Sequence, residues 1–430
     1  MDRRRVHHLR RDLLRRGGKC LVILVCVFLL YVGPGTTSAS TLQSVTTIDE
    51  VLARISETSS AAVAAAVTEI AVAELGQSES NRYPRVTVDA QENLAGDSTS
   101  YEPEYILRVE QMLLDWGRVD EDVSSRAATV EAKRSAEAEV ILEAALLSVE
   151  AFYGIEVINR KLRANTKNRR SLEELRDMME RRVASRISPN IDLQEVSNRI
   201  SLLDIADRRL ESERRRLQLT LIRLAGVLVE EPEAPNCVWP TPIDEDLLVR
   251  DAIAYSPTLK RLRHQASRHV HEERALDAGQ FPSLIAGYRA DSELDGNEFD
   301  QRAYLALRYE FQTGGELKSQ RAQERARYLE QQALYREDTE NITQTIGAWV
   351  STYRTAISLD EIYLRVISSK AEQKDSHLRR FLVGRSSWRD VLGAQREVAE
   401  SVTRRIDSQG SACLASSSLL LLTGGMSALR

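Results

Sequence analysis

The same order of residues returns after 198 positions. Tyr83-Pro84 and Phe281-Pro282 stand that far apart, and the same displacement sets Leu107 on Leu305, Val109 on Leu307, Leu113 on Phe311 and Gly117 on Gly315. It continues through Arg182 and Arg380, Ser188 and Ser386, Asp192 and Asp390, Leu224 and Leu422, and Gly226 and Gly424. Upstream, Ile48-Asp49-Glu50 and Ile243-Asp244-Glu245 mark the two starts. A nearly ungapped register over so long a stretch means one structural unit written twice.

Proline placement divides each unit. The ten prolines lie at 34, 84, 103, 189, 232, 235, 240, 242, 257 and 282, so 104–188 and everything after 282 are free to be long helices. The cluster from Pro232 to Pro242 marks a linker over 230–243. The first repeat, 41–229, then holds a helix, strands at about 84–94 and 104–115, a long helix over 117–182, a tip at 183–191 and a returning helix over 192–228. The second, 244–430, repeats the plan with strands at about 282–294 and 302–312, a long helix over 315–380, a tip at 381–389 and a return over 390–424. At a rise of ~1.5 Å per residue each long helix reaches on the order of 100 Å. Leu203, Leu210, Leu217 and Leu224 at sevenfold spacing, with Val196, Ile200 and Leu221 between them, give the first return a coiled-coil-like seam. An aromatic content of only 5% suits such helices, but taken alone a helix pair of this kind is more often a soluble coiled coil than part of a pore.

The strand segments alternate with period two. One face carries Val86 and Val88, then Tyr105, Leu107, Val109 and Leu113; in the second copy it carries Leu284 and Tyr288, then Leu305, Leu307, Tyr309 and Phe311. The opposite faces carry Arg85, Asp89, Arg108, Glu110, Arg289, Asp291, Arg302 and Glu310. Roughly 9–11 tilted residues, apolar outward and polar inward, describe a transmembrane strand. Tyr83, Trp116, Phe281 and Phe311 fall at one level, as interfacial aromatics do. An amphipathic sheet on a soluble core would show the same alternation. In lipid, however, four strands cannot close, and open edges are not tolerated, so such a chain must assemble.

Eight basic residues, from Arg3 to Lys19, precede the short apolar run Leu21 to Val32 and the small residues Thr37-Ser38-Ala39-Ser40, the layout of a signal peptide over 1–40. Its removal takes 8 basic and 2 acidic residues from totals of 59 and 64, leaving 51 against 62, or −11. That balance argues against a nucleic-acid partner. Of the four cysteines only Cys237 and Cys413 remain, too few for a disulfide framework, with pairing left open.

Taken together these segments resemble the TolC-like outer-membrane efflux and secretion family. The resemblance rests on Tyr83-Pro84-Arg85-Val86 and Phe281-Pro282-Ser283-Leu284, on Leu113-Leu114-Asp115-Trp116-Gly117-Arg118, and on Leu224-Ala225-Gly226. It also rests on the tips Arg182…Ser188…Asp192-Leu193 and Arg380…Gly384…Ser386…Asp390-Val391, and it covers nearly the whole mature chain. It implies a mixed α and membrane-β fold: a homotrimer with a twelve-stranded barrel in the outer membrane and a helical tunnel across the periplasm of a Gram-negative cell. It further implies tips that close the tunnel and dock a periplasmic adaptor (membrane fusion) protein joined to an inner-membrane transporter. The chain departs from the family at Arg186-Ile187-Ser188-Pro189, where the family has Gly; the second tip keeps Gly384.

Two readings of the tips stand side by side. Ser188 before Pro189 has the form of an N-cap with proline at the first helical position, and Ser387…Asp390 that of a capping box. Alternatively Arg182, Arg186, Arg380 and Arg385 pair with Asp192, Asp390 or neighbouring acids as an entrance latch, with Ser188, Gly384, Arg385 and Ser386 shaping the docking surface. His264, His269 and His271, five and two apart, do not share a helix face and read as surface histidines, so no metal is expected. No phosphate loop, dinucleotide fingerprint or nucleophile motif is present, hence no catalytic residue and no cofactor. The expected function is a passive duct of a tripartite export system, for type I protein secretion or small-molecule efflux. The rival is a soluble periplasmic coiled-coil scaffold.

Overall fold

The structure is a computed structural model that describes residues 43–91, 104–233, 243–293, 299–310 and 314–425. The expected signal peptide, Cys237 and Phe311 lie outside the described residues. In chain order the elements are β1 (Gln43–Ser44), α1 (Ile48–Arg54), α2 (Ser59–Glu79), β2 (Arg85–Gln91), β3 (Glu104–Leu114), α3 (Arg118–Ala184), α4 (Asn190–Ala225) and β4 (Val227–Leu228). The second half follows with α5 (Glu245–Tyr255), α6 (Pro257–Ala278), β5 (Ser283–Glu293), β6 (Phe299–Arg308), α7 (Glu316–Leu382) and α8 (Trp388–Leu422).

The rods α3 and α7 are each 67 residues long, and their first residues, Arg118 and Glu316, are 198 apart. At ~1.5 Å per residue each spans about 100 Å. Both start after a left-handed glycine, Gly117 at φ 84° and Gly315 at φ 79°. Asp115 closes the first start, its carboxylate accepting from the Gly117 N–H at 3.0 Å and the Val119 N–H at 2.7 Å. The return α4 ends at Gly226, also left-handed, a C-terminal stop that glycine takes without a Cβ penalty.

Buried clusters hold the rods at several levels. Midway, Phe152, Ile155 and Val149 of α3 are fully buried against Val51 and Ile55 from the N-terminal arm and Leu221 of α4. Leu248, Ile346, Val350 and Leu419 make the corresponding core of the second repeat. At the tips Met179, Val196, Phe381, Trp388, Val391 and Leu392 form one cluster that draws on both repeats. Leu217, Leu221 and Leu224 join the midway core while Val196, Ile200 and Leu203 join the tip core, so the leucine seam serves two places. Cys413 beside the midway core is disulfide-bonded.

The strands form one antiparallel sheet in the order β2-β3-β5-β6. Leu107 pairs Val88 on one side and Ala290 on the other, so the two hairpins join through β3 and β5 in the parity expected. Two details differ from the sequence expectation. β6 begins at Phe299 and ends at Arg308, earlier than 302–312 at both ends. The alternation of β3 breaks at Leu113, where a bulge lets Leu114 rather than Leu113 pair Leu284; the extra residue turns the strand toward the rod.

Candidate functional site: a two-faced sheet and two coupled tips

The sheet presents chemically opposite faces. Val86, Val88, Tyr105, Leu107, Tyr288, Leu305, Leu307 and Tyr309 are exposed on one of them, with Leu305 and Leu307 each 71% open. Val109 and Leu284 on the same face are half-buried, and bulged Leu113 is exposed. Leaving such side chains in water forfeits about 1.5–3 kcal/mol apiece relative to burial. A hydrocarbon surround removes that penalty. The other face is polar: Arg289 meets Asp291 at 2.8 Å, Arg302 meets Asp300 at 2.8 Å, and the Tyr304 hydroxyl donates to Glu110 at 2.8 Å. Tyr304 reaches Glu110 across Gly287, whose missing Cβ would stand 2.2 Å from the ring. At the rod end of the sheet Trp116 and Phe281 lie 5.1 Å apart, and the indole donates to the Pro282 carbonyl at 2.9 Å. Tyr83 at that level is 71% exposed. Beneath the polar face a cavity of about 1200 Å³ is lined by Glu110, Asp115, Asp122, Glu272, Glu324 and Arg327 among others.

About 100 Å away by the length of the rods, both tips close by the same backbone device. In the first, the Ile187 N–H reaches the Arg182 carbonyl at 2.8 Å and the Arg186 N–H reaches Val183 at 2.9 Å; in the second, Arg385 reaches Arg380 at 2.8 Å and Gly384 reaches Phe381 at 3.0 Å. This is the Schellman end, which needs a left-handed residue next. Gly384 supplies it at φ 74° and Arg186 at φ 56°.

The caps differ. Ser387 and Asp390 form the expected capping box: the Ser387 hydroxyl accepts from the Asp390 N–H at 3.2 Å and the Asp390 carboxylate accepts from the Ser387 N–H at 3.0 Å. With Ser386 also donating at 3.0 Å, the Ser387 hydrogen bonds first and Ser386 next hold the Asp390 carboxyl below its usual range. In the first tip Pro189, not Ser188, is the N-cap residue, and it offers no side-chain cap. Ser188 instead accepts from Arg182 Nε at 3.1 Å. The expectation of a Ser188 cap followed by proline inside the helix is therefore corrected by one position, because extended Pro189 sits before the first helical turn.

The tips are coupled through Trp388. Its ring lies 5.2 Å from Phe381, its indole donates to the Asp192 carbonyl at 2.9 Å, and Arg182 stacks over Phe381 at 4.8 Å. Arg182 is thus held by Ser188 and an aromatic ring, and Asp390 by serines. Among the described residues no ion pair joins Arg182, Arg186, Arg380 or Arg385 to Asp192 or Asp390 within the chain. Arg186, Arg380 and Arg385 are exposed, and so are the apolar Ile187, Ile191, Leu382 and Val383 beside them.

Sequence reading missed two features. The surface reading of the histidines fails at His269, which is 3% exposed; α6 packs between α3 and α7, so residues that do not share one face can all be covered. His271 is likewise paired, with Glu121 at 2.6 Å. The second feature is α2, where Val63 is 65% and Ile70 59% exposed. Ser59–Arg82 passes the length and composition test for a membrane span among the described residues, with little of it buried. Its composition, rich in Ala and Val with only three acids, was legible in the sequence.

Residues 248–425 match the family model described as outer membrane efflux protein. No curated protein matches the sequence. The outer membrane protein VceC of Vibrio cholerae superposes with a TM-score of 0.77 at 14% identity, over 88% of this chain and 96% of that one. A membrane protein of Pseudomonas aeruginosa gives 0.77 at 17% identity over 88% and 89%. The open state of the MtrE outer membrane channel of Neisseria gonorrhoeae gives 0.66 at 14% identity over 88% and 89%. Residues 248–425 thus match the outer membrane efflux protein model, and the chain has the fold of the outer-membrane proteins it superposes on.

Proposed function

We propose that the protein is the outer-membrane duct of a tripartite export system, a passive homotrimeric conduit crossing the outer membrane and reaching into the periplasm. The observation that carries this reading is the sheet: four strands with two unpaired edges, one face of exposed apolar side chains and one of charges. A soluble scaffold has no use for that face, and lipid accepts it only if the edges close.

The duplication indicates how they close. Inside the chain β3 pairs β5, with Val109 opposite Tyr288 and Glu110 opposite Gly287. Carried forward by one repeat, β6 pairs β2 of a neighbour, with Leu307 opposite Ala90 and Arg308 opposite Asp89. Opposite charges then meet on the polar face. The helices follow the same rule. Among the described residues α6 packs on both α3 and α7, whereas the main helix packed on α2 is α3. The bare Val63 and Ile70 side then fits the groove between a neighbour's α6 and α7, lined by Leu262, Val270, Tyr328 and Tyr335. Three copies supply twelve strands, wide enough for a channel, where two would give a barrel filled by its own side chains.

At the far end the exposed Ile187, Ile191, Leu382 and Val383 with Arg186 and Arg385 are the surface for a periplasmic adaptor and its inner-membrane transporter. Pairing of the tip arginines with acids, absent among the described residues of one chain, then belongs to contacts between copies or with that adaptor. The test is a chain carrying Leu307→Cys and Ala90→Cys. Oxidation of intact cells should give a covalent trimer in the outer-membrane fraction, resistant to alkaline wash. A monomer released by that wash would overturn the reading.

A further inference from the structure

One position in the helices can be read twice, once in each repeat. In the first, Glu74 on α2 meets Arg126 on α3 at 3.4 Å, an ordinary ion pair with each side chain 47% exposed. One repeat later the same two positions are Glu272 on α6 and Glu324 on α7. A carboxylate thus replaces the arginine. Ala71, buried between the helices of the first repeat, is replaced by His269.

His269 Nδ1 lies 2.7 Å from Glu324 Oε2 and 3.1 Å from Glu272 Oε2. All three donor atoms fall within 4.8 Å of one another. The second oxygen of each carboxylate is engaged elsewhere: Arg327 donates to Glu324 Oε1 at 2.7 Å, and the Ser125 hydroxyl to Glu272 Oε1 at 3.4 Å. Partners of this kind aim ligand atoms in metal centres. Glu272 and Glu324 also line the cavity under the sheet, which provides an entry path and room for a water ligand.

We propose that His269, Glu272 and Glu324 form a binding site for a divalent transition-metal ion of the zinc class. One imidazole nitrogen with two carboxylate oxygens suits such an ion better than calcium or magnesium, which take oxygen alone. Three protein ligands leave a fourth position open for water. The ion takes the place of the proton now between His269 Nδ1 and the carboxylates. Arg268 can only donate, and its Nη2 stands 3.1 Å from His269 Nε2, so the metal-free imidazole carries its proton on Nδ1. Binding moves that proton to Nε2, and Arg268, whose side chain is 36% exposed, turns outward. The ion then ties α6 to α7 just below the sheet, a link the first repeat makes with its ion pair.

The test uses tag-free, metal-stripped full-length protein in detergent, titrated with Zn²⁺, with Co²⁺ as an absorbing probe. One Zn²⁺ per chain is expected, with a rise in thermal midpoint and visible Co²⁺ bands of an imidazole-containing site. His269→Ala, an exchange the first repeat already tolerates at Ala71, and Glu324→Gln should each weaken binding by at least about tenfold and abolish the rise. Glu74→Gln should leave both intact. Unchanged binding in His269→Ala, or equal loss in Glu74→Gln, would overturn the site without touching the reading of the protein as a duct.

Discussion

The two repeats share one order of elements while differing at most positions of sequence, and the differences that bear on the backbone fall at the junctions. Among the described residues two non-glycines have positive φ, Trp116 and Arg186, and the positions 198 further on are Gly314 and Gly384. The second repeat therefore uses the residue that left-handed backbone prefers, and the first carries side chains there at a cost of about 1–2 kcal/mol each. Trp116 offsets its cost with a hydrogen bond to Pro282 and a ring contact with Phe281. Arg186 is exposed and makes no comparable contact among the described residues. Strain with a visible return is structural; strain without one is better explained by something outside the chain.

The sharpest break in the comparison is Trp388, whose counterpart in the first repeat is Asn190. Trp388 is 4% exposed and is the bolt between the tips, whereas Asn190 is exposed. Trp388→Ala should cost about 3–4 kcal/mol of tip stability, read as faster hydrogen exchange in both tips at once. Asn190→Ala should stay within about 0.5 kcal/mol. Loosening of the second tip alone would show that the tips are not coupled through this ring.

Glycine substitutions at the two strained positions should act with opposite signs. Trp116→Gly relieves about 1 kcal/mol of backbone strain but loses a hydrogen bond worth about 1 kcal/mol and a ring contact worth about 0.5–1 kcal/mol. It should destabilise the sheet end by roughly 0.5–1 kcal/mol. Arg186→Gly loses no contact of that kind and should stabilise the first tip by about 0.5–1 kcal/mol, after allowing for the greater chain entropy of glycine. Local exchange measurements at each site check the signs. If Arg186→Gly also impairs export in cells while the tip grows more stable, the arginine is kept for a partner.

Rods and hairpins were legible because they rest on local rules. Proline is absent from 104–188, the repeat fixes both rod starts, and strand parity places Val88, Leu107, Leu305 and Leu307 on one face whatever the rest of the chain does. What escaped depends on neighbours. The bulge at Leu113 is one residue that alternation cannot reveal. His269 was read on an isolated helix, yet its burial comes from Glu324 on α7, 55 residues away. The Ser188-Pro189 cap moved because Arg182, six residues upstream, takes the serine hydroxyl. The Arg182 stack on Phe381 joins two repeats and has no sequence signature.

The smallest difference between the tips is their response to acid. Asp390 closes a capping box through Ser387, while position 189 in the first tip is a proline with no hydroxyl to offer. Hydrogen bonds from Ser387 and then Ser386 hold the Asp390 carboxyl below the usual value. A group whose folded pKa is depressed adds stability above its unfolded value, about 3.9, and that stability is lost as pH falls through the folded value beneath it. Rate-corrected hydrogen exchange of the first turn of α8, followed from about pH 5 to about pH 2.5 across that window, should show protection falling. The first turn of α4 should lose less. In Asp390→Asn the first turn of α8 should start less protected and change little with pH, since an amide accepts from Ser387 but has no charge to lose. Equal acid loosening of both tips, or an unchanged profile in Asp390→Asn, would place the pH sensitivity outside the cap and leave the tips alike in this respect.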